Sequence, residues 1–64
     1  MGKVIGYLKD RNGKKYKIEY VDGGLLHANY YRILDSQNRK LIESSSKEKA
    51  IRELEGSVGP VYAD

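Results

Sequence analysis

The apolar positions first alternate and later fall into a helical period. "VIGYL" (4–8) and "YKIEYV" (16–21) mix β-branched and aromatic residues with polar ones, and Asn12-Gly13 between them is a favoured two-residue hairpin turn. A hairpin centred there sets Asp10 opposite Lys15, Tyr7 opposite Ile18 and Ile5 opposite Tyr20. One face then gathers Ile5, Tyr7, Tyr16, Ile18 and Tyr20. The next turn lies in "VDGGLL". A two-residue loop places His27 and Asn29 on the apolar face, whereas a three-residue Asp22-Gly23-Gly24 loop places Leu26, Ala28 and Tyr30 there. A slip of one residue inverts both faces, so the apolar pattern selects the three-residue loop.

A third strand is expected from about Leu26 to Leu34, turning through "DSQNR" into a fourth from about Lys40 to Ser44. Centring on Gln37-Asn38 pairs Asp35 with Lys40, Leu34 with Leu41 and Arg32 with Glu43, two opposite-charge pairs and one apolar pair from a single register. "SSSKEKAIRELEG" then switches to the helical period. Ser45 is read as the N-cap, Glu48 as its capping-box partner, Ala50, Ile51 and Leu54 as the buried stripe, and Gly56 as the C-terminal stop. The remaining "SVGPVYAD" carries Pro60 and no periodicity. No internal repeat is apparent.

The fold class that follows is α+β: a four-stranded antiparallel meander, order 1-2-3-4, with one short C-terminal helix packed on one face (ββββα). Residues 1–56 form a single small domain and residues 57–64 a C-terminal tail or an added edge segment. The helix-covered face is expected to hold Ile5, Tyr7, Ile18, Tyr20, Leu26, Ala28, Leu34, Leu41, Ile51 and Leu54. The uncovered face is expected to show Leu8, Lys15, Lys17, His27, Asn29, Tyr31 and Ile33. A helix covers only one side of a sheet, so a partner would meet the other.

Composition removes several function classes. With 64 residues, no Cys and a single His, the chain has no disulfide, no thiolate site and no His/Cys zinc site, and we expect no cofactor. A chain this short buries only about 60% of its unfolded surface, so an efficient core or self-association must stabilise it. No apolar run approaches the length of a membrane span, and the first residues lack a signal-peptide core, so a soluble, cytoplasmic protein without membrane contact is expected. The serines at 44–46 stand beside no base, and His27 lies on another expected strand, so capping and a half-exposed sheet position account for them and no enzyme activity is expected.

Charge adds one positive indication. The net charge is +3, and residues 1–20 hold six basic and two acidic side chains against six and seven in residues 21–64. The excess sits in "KDRNGKKYK" (9–17). Lys9, Arg11, Lys14, Lys15 and Lys17 suit phosphate neutralisation, and Asn29 and Tyr31 on the adjacent expected strand suit base-edge and stacking contacts. The plain alternative is that these charges keep a turn soluble and blunt an edge strand.

The order of basic hairpin, further strand and "SKEKAIREL" resembles the arm-type DNA-binding domains at the N-termini of phage integrases, over roughly residues 3–56. In those domains a small antiparallel sheet reads DNA and a Thr/Ser-Lys-x-x-Ala segment opens the following helix. "YRILD" to "KLIES" is also similar to hairpins of uncharacterised bacterial repeats. The resemblance implies DNA as partner, through the basic strand positions, and the charge alone admits DNA or RNA. The rival class is a protein-binding module, inhibitor or small homodimer of phage or mobile-element type, using Val4, Leu8, Val21, Leu25, Tyr31, Ile33 and Ile42 as an apolar surface.

Overall fold

In the computed structural model, which describes residues 2–25 and 27–64, strands β1 (Gly2–Asp10), β2 (Lys15–Val21), β3 (Tyr30–Asp35) and β4 (Lys40–Ser44) precede helix α1 (Lys47–Val58), and β5 (Val61–Ala63) ends the chain. The strands form one antiparallel sheet of order β4-β3-β2-β1-β5. The α+β class and the four-strand meander with a helix on one face are as the pattern predicts. The tail is the added edge segment: α1 carries the chain from the β4 edge across the sheet, and β5 pairs with β1, Leu8 opposite Ala63 and Asp10 opposite Val61.

Both hairpin tips use the same turn, and it is one residue longer than the expected one. At the first, the Asp10 N–H donates to the Lys14 carbonyl, the Gly13 N–H donates to the Asp10 carbonyl, and Gly13 takes φ +86°. At the second, Asp35 and Arg39 repeat the first bond, Asn38 and Asp35 the second, and Asn38 takes φ +65°. Three-residue loops with a left-handed third residue suit Gly or Asn there. Each aspartate locks its own loop. Asp10 Oδ1 accepts from the N–H groups of Asn12 and Lys14, and Asp35 Oδ1 accepts from those of Gln37 and Arg39. The turn is thus repeated in structure, although the two sequences share little beyond the leading Asp.

The longer loop changes the register. Leu8 stands opposite Tyr16, Tyr7 opposite Lys17 and Gly6 opposite Ile18, and Lys9 rather than Asp10 opposes Lys15. A bulge at Ile5 restores the parity further along, where Lys3 meets Tyr20. The β2–β3 connection is also longer than expected, occupying residues 22–29, and β3 begins only at Tyr30. It is pinned by Asn29 Oδ1, which accepts from the Gly23 N–H at 3.1 Å, and by Asp22 Oδ1, which accepts from Gly24 N–H at 2.9 Å. Gly23 is required: a Cβ there would lie 2.4 Å from the Ala28 carbonyl oxygen.

Because of these two connections, residues 6–10 of β1 and the strands β3 and β4 present the opposite faces from those expected. Leu8, Tyr16, Ile18, Ile33, Ala50 and Leu54 form the buried core, with Ile42, Ile51, Val58 and Val61 packed against it. Leu8, Ile33 and Tyr31 therefore belong to the helix side. Tyr31 packs against Tyr20, its cross-strand partner, at a ring distance of 5.3 Å. Tyr7 and Leu34 belong to the open side, and Ile5 and Leu41, at the two bulged positions, are exposed. Ala28 and His27 lie exposed in the 22–29 loop, and Leu26 lies outside the described residues. The β3–β4 ribbon keeps its expected Arg32–Glu43 pairing, but the bulge at Leu41 replaces Leu34–Leu41 by Leu34–Lys40.

The helix is shifted by a residue at its start and extended at its end. Ser46, not Ser45, is the N-cap: its Oγ accepts from the Lys49 N–H and its hydroxyl donates to Glu48. Gly56 lies inside the helix, and Gly59 at φ +86° is the C-cap. The extra turn brings Val58 beneath Leu54 and fixes where β5 starts. Among the described residues no helix is long and apolar enough to cross a membrane.

Candidate nucleic-acid interface

The open face is built from cross-strand rows, because directly paired residues share a face. Nearest the hairpin tips, Tyr62 of β5, Lys9 of β1 and Lys15 of β2 stand side by side. The next row holds Tyr7, Lys17, Leu34 and Lys40. The third holds Val4, Glu19, Arg32 and Glu43. The first two rows are cationic and carry exposed tyrosine rings. The third alternates in sign, and Arg32 is ion-paired with Glu19. A two-row basic band therefore crosses the sheet at its tip end.

Three details give this band its character. Lys9 and Lys15 oppose each other directly, an arrangement that costs sheet stability. Two acids reach the band: Glu43, whose carboxylate lies 3.2 Å from Lys40 Nζ, and Asp64, whose carboxylate lies 3.7 Å from Lys15 Nζ and whose N–H donates to the Tyr7 carbonyl. Lys17 Nζ donates to Asn38 Oδ1, a neutral partner that positions the ammonium without cancelling its charge. A shallow depression of about 200 Å³ lies among Tyr7, Lys15, Tyr16, Lys17 and Ser36.

The acids near the tips are turned to the helix side and committed there. Asp10 is 5% exposed and Asp35 is 2% exposed. Burial alone raises the Asp10 pKa, but the Lys14 N–H, the Tyr16 hydroxyl, the Asn12 N–H and the Lys14 charge outweigh it and hold the carboxyl below its ordinary value. At Asp35 the Arg39 N–H does most to lower the pKa, against burial and with help from the Gln37 N–H and the Arg39 guanidinium. Burial and donation to Asp10 raise the Tyr16 pKa, and the charges of Asp10 and Asp35 add to it. These aspartates are anionic turn locks that do not face the basic band. Among the described residues no cluster of three or more His, Cys, Asp or Glu is placed to hold a metal.

Of the residues expected at the site, Lys9, Lys15 and Lys17 come together on the open face, and Arg11 extends from the exposed tip. Lys14 does not join them; its ammonium lies 5.9 Å from the Tyr16 ring centroid on the helix side. Asn29 is a loop lock and Tyr31 is half-buried against Tyr20, so neither stands beside the lysines. The band instead includes Tyr7, Lys40 and Tyr62. An Asp followed three residues later by Gly or Asn marks the longer turn that turns Tyr7 outward; Tyr62 becomes visible only once "VYA" is paired as a strand.

No protein-family model matches the chain, and neither a curated protein nor a solved structure matches it.

Proposed function

We propose that this protein is a small non-enzymatic binding module that takes nucleic acid on the open face of its sheet. The observation that carries the reading is the two-row band of Lys9, Lys15, Lys17 and Lys40 interleaved with exposed Tyr7 and Tyr62. Phosphates are met by the lysines and Arg11, and bases by the rings. The like-charged Lys9–Lys15 pair costs the sheet stability that an exposed Lys15–Asp64 contact offsets only weakly, and local cost of this kind is characteristic of functional positions. The helix does not compete for the same ligand, because its outward Lys47, Lys49 and Arg52 alternate with Glu48, Glu53 and Glu55. The resemblance to integrase arm-type domains, in which a small sheet meets DNA, points the same way.

The rival reading, a protein-binding surface or homodimer, draws less support. Leu8, Ile33 and Val21 of its expected apolar surface are buried, and Tyr31 and Ile42 are half-buried. The exposed apolar side chains Val4, Ile5, Leu25 and Leu41 are spread over one strand, a loop and the far edge, and scattered exposure is ordinary. The test is retention on immobilised DNA, RNA and heparin across a salt gradient, beside a sizing column. Retention at low salt that falls steeply with salt is expected; passage unretained at low salt would overturn the reading in favour of a protein partner.

A further inference from the structure

The nucleic-acid reading leaves open which form of nucleic acid fits, and the geometry of the band decides it. We infer that the ligand is a single strand, laid across the sheet from β5 towards β4, with Tyr7 and Tyr62 as stacking surfaces for two neighbouring bases. This inference rests on the proposed function and narrows it.

The first argument is the spacing of the two tyrosine positions on the sheet. Tyr62 stands opposite Lys9 and Tyr7 lies two residues along β1, so the tyrosines are diagonal neighbours on adjacent strands, about 7–8 Å apart at the backbone. That is more than twice the ~3.4 Å between stacked bases of one duplex strand. Bases seated on both rings are splayed apart, which a single strand permits and a duplex does not. Both rings are free to be covered: Tyr7 is 53% exposed and Tyr62 is 58% exposed.

The second argument is the width of the band. Its two rows are about 6.8 Å apart, two residues along a strand, while its length over four strand spacings is about 19 Å. On the far side the next row holds Glu19, Arg32 and Glu43, whose charges are paired within the sheet and add no net positive charge to the band. A duplex sets its two backbones on either side of a major groove about 12 Å wide, so only one of them fits this strip. A single backbone crossing five strands runs along it and passes the depression beside Tyr7, Lys15 and Lys17.

Asp64 marks the track itself, whichever form of nucleic acid lies on it. Its carboxylate sits against Lys15 at the β5 end of the second row, so an anion of the chain already occupies part of the track. A phosphate drawn to Lys15 competes with it. Neutralising Asp64 therefore strengthens binding, whereas a contact that served the fold alone would leave binding unchanged.

Fluorescence anisotropy with labelled oligo-dT, oligo-rU and a duplex, each of about ten nucleotides, tests the inference on the full chain. The variants are Tyr7→Leu, Tyr62→Leu and Asp64→Asn, each checked for folding by its thermal transition. We expect both single strands to bind at least roughly tenfold tighter than the duplex, since only they expose bases to the rings. Each Tyr→Leu change should weaken single-strand binding roughly five- to a hundredfold and leave retention on heparin unchanged. Asp64→Asn should tighten it. Equal affinity for duplex and single strands, or single-strand affinity indifferent to both tyrosine changes, would overturn the single-strand inference while leaving the polyanion reading in place. If no oligonucleotide binds at low salt, both fall together. The ratio of dT to rU affinities then assigns DNA or RNA.

Discussion

Asp10 and Asp35 do the same work at the two hairpin tips, each closing a three-residue loop with its own carboxylate. The pKa of both is lowered in the folded chain, so each contributes stability that is fully present above the ordinary carboxylate range and is lost as pH falls through the lowered value. Thermal stability should accordingly be level around neutral pH and fall below about pH 4. Asp35→Asn should start lower and show a shallower acid fall; a melting-temperature series against pH checks it, and an unchanged acid slope would show that Asp35 is not a lock. The left-handed third position supplies a second test. A Cβ on Gly13 meets nothing within 4 Å, so only the backbone resists substitution there. Gly13→Val should cost about 1–2 kcal/mol, while Gly13→Asn, copying Asn38, should cost much less. Urea titration of the two variants reads the difference directly.

Much of the element pattern was legible from the sequence, and the side each strand presents was not. Apolar alternation places four strands and the helix, and Ala50, Ile51 and Leu54 pack as their helical spacing predicts. Face is a matter of parity, and parity depends on loop length. Asn12-Gly13 reads as a two-residue turn because the pair is a strong local signal, but Asp10 and its hydrogen bonds lengthen the loop by one residue and turn Leu8 inward. Residues 22–29 defeat the same count, since Ala28, apolar and in step with the alternation, lies exposed in a loop rather than inward on a strand. Lys15 and Lys17 fall on the expected face because β2 keeps the side its alternation gives; Tyr31, counted through the β2–β3 loop, falls on the other. At the helix start three consecutive serines leave the cap ambiguous until geometry chooses Ser46. Ser46→Ala should cost about 1 kcal/mol, and Ser45→Ala should stay within about 0.5 kcal/mol. Leu54→Ala should cost more, roughly 2–4 kcal/mol, because it truncates a side chain only 1% exposed in a thin core. Equilibrium unfolding that ranked these three otherwise would place the helix in another register.

At the scale of the whole molecule, the helix and the β5 strand divide the protein into two sides with different duties. The covered side holds the core, the paired tyrosines and both buried aspartates. The open side holds the basic band, completed by a strand that supplies Tyr62 and brings Asp64 to Lys15. The basic band therefore lies on one face at one end, a placement that neither the net charge nor the position of the lysines in sequence reveals. The most direct test of that account is the salt dependence of nucleic-acid affinity, measured for the native chain, for Lys15→Ala/Lys17→Ala, and for Lys47→Ala/Lys49→Ala on the helix. All three remove or retain the same kind of charge, so only location separates them. The open-face pair should weaken binding and flatten the slope of log affinity against log salt by roughly 1.4–1.8, the share of two phosphate contacts. The helix pair should leave the slope close to that of the native chain. Equal slopes for the two double variants, or no binding by the native chain at low salt, would contradict the account.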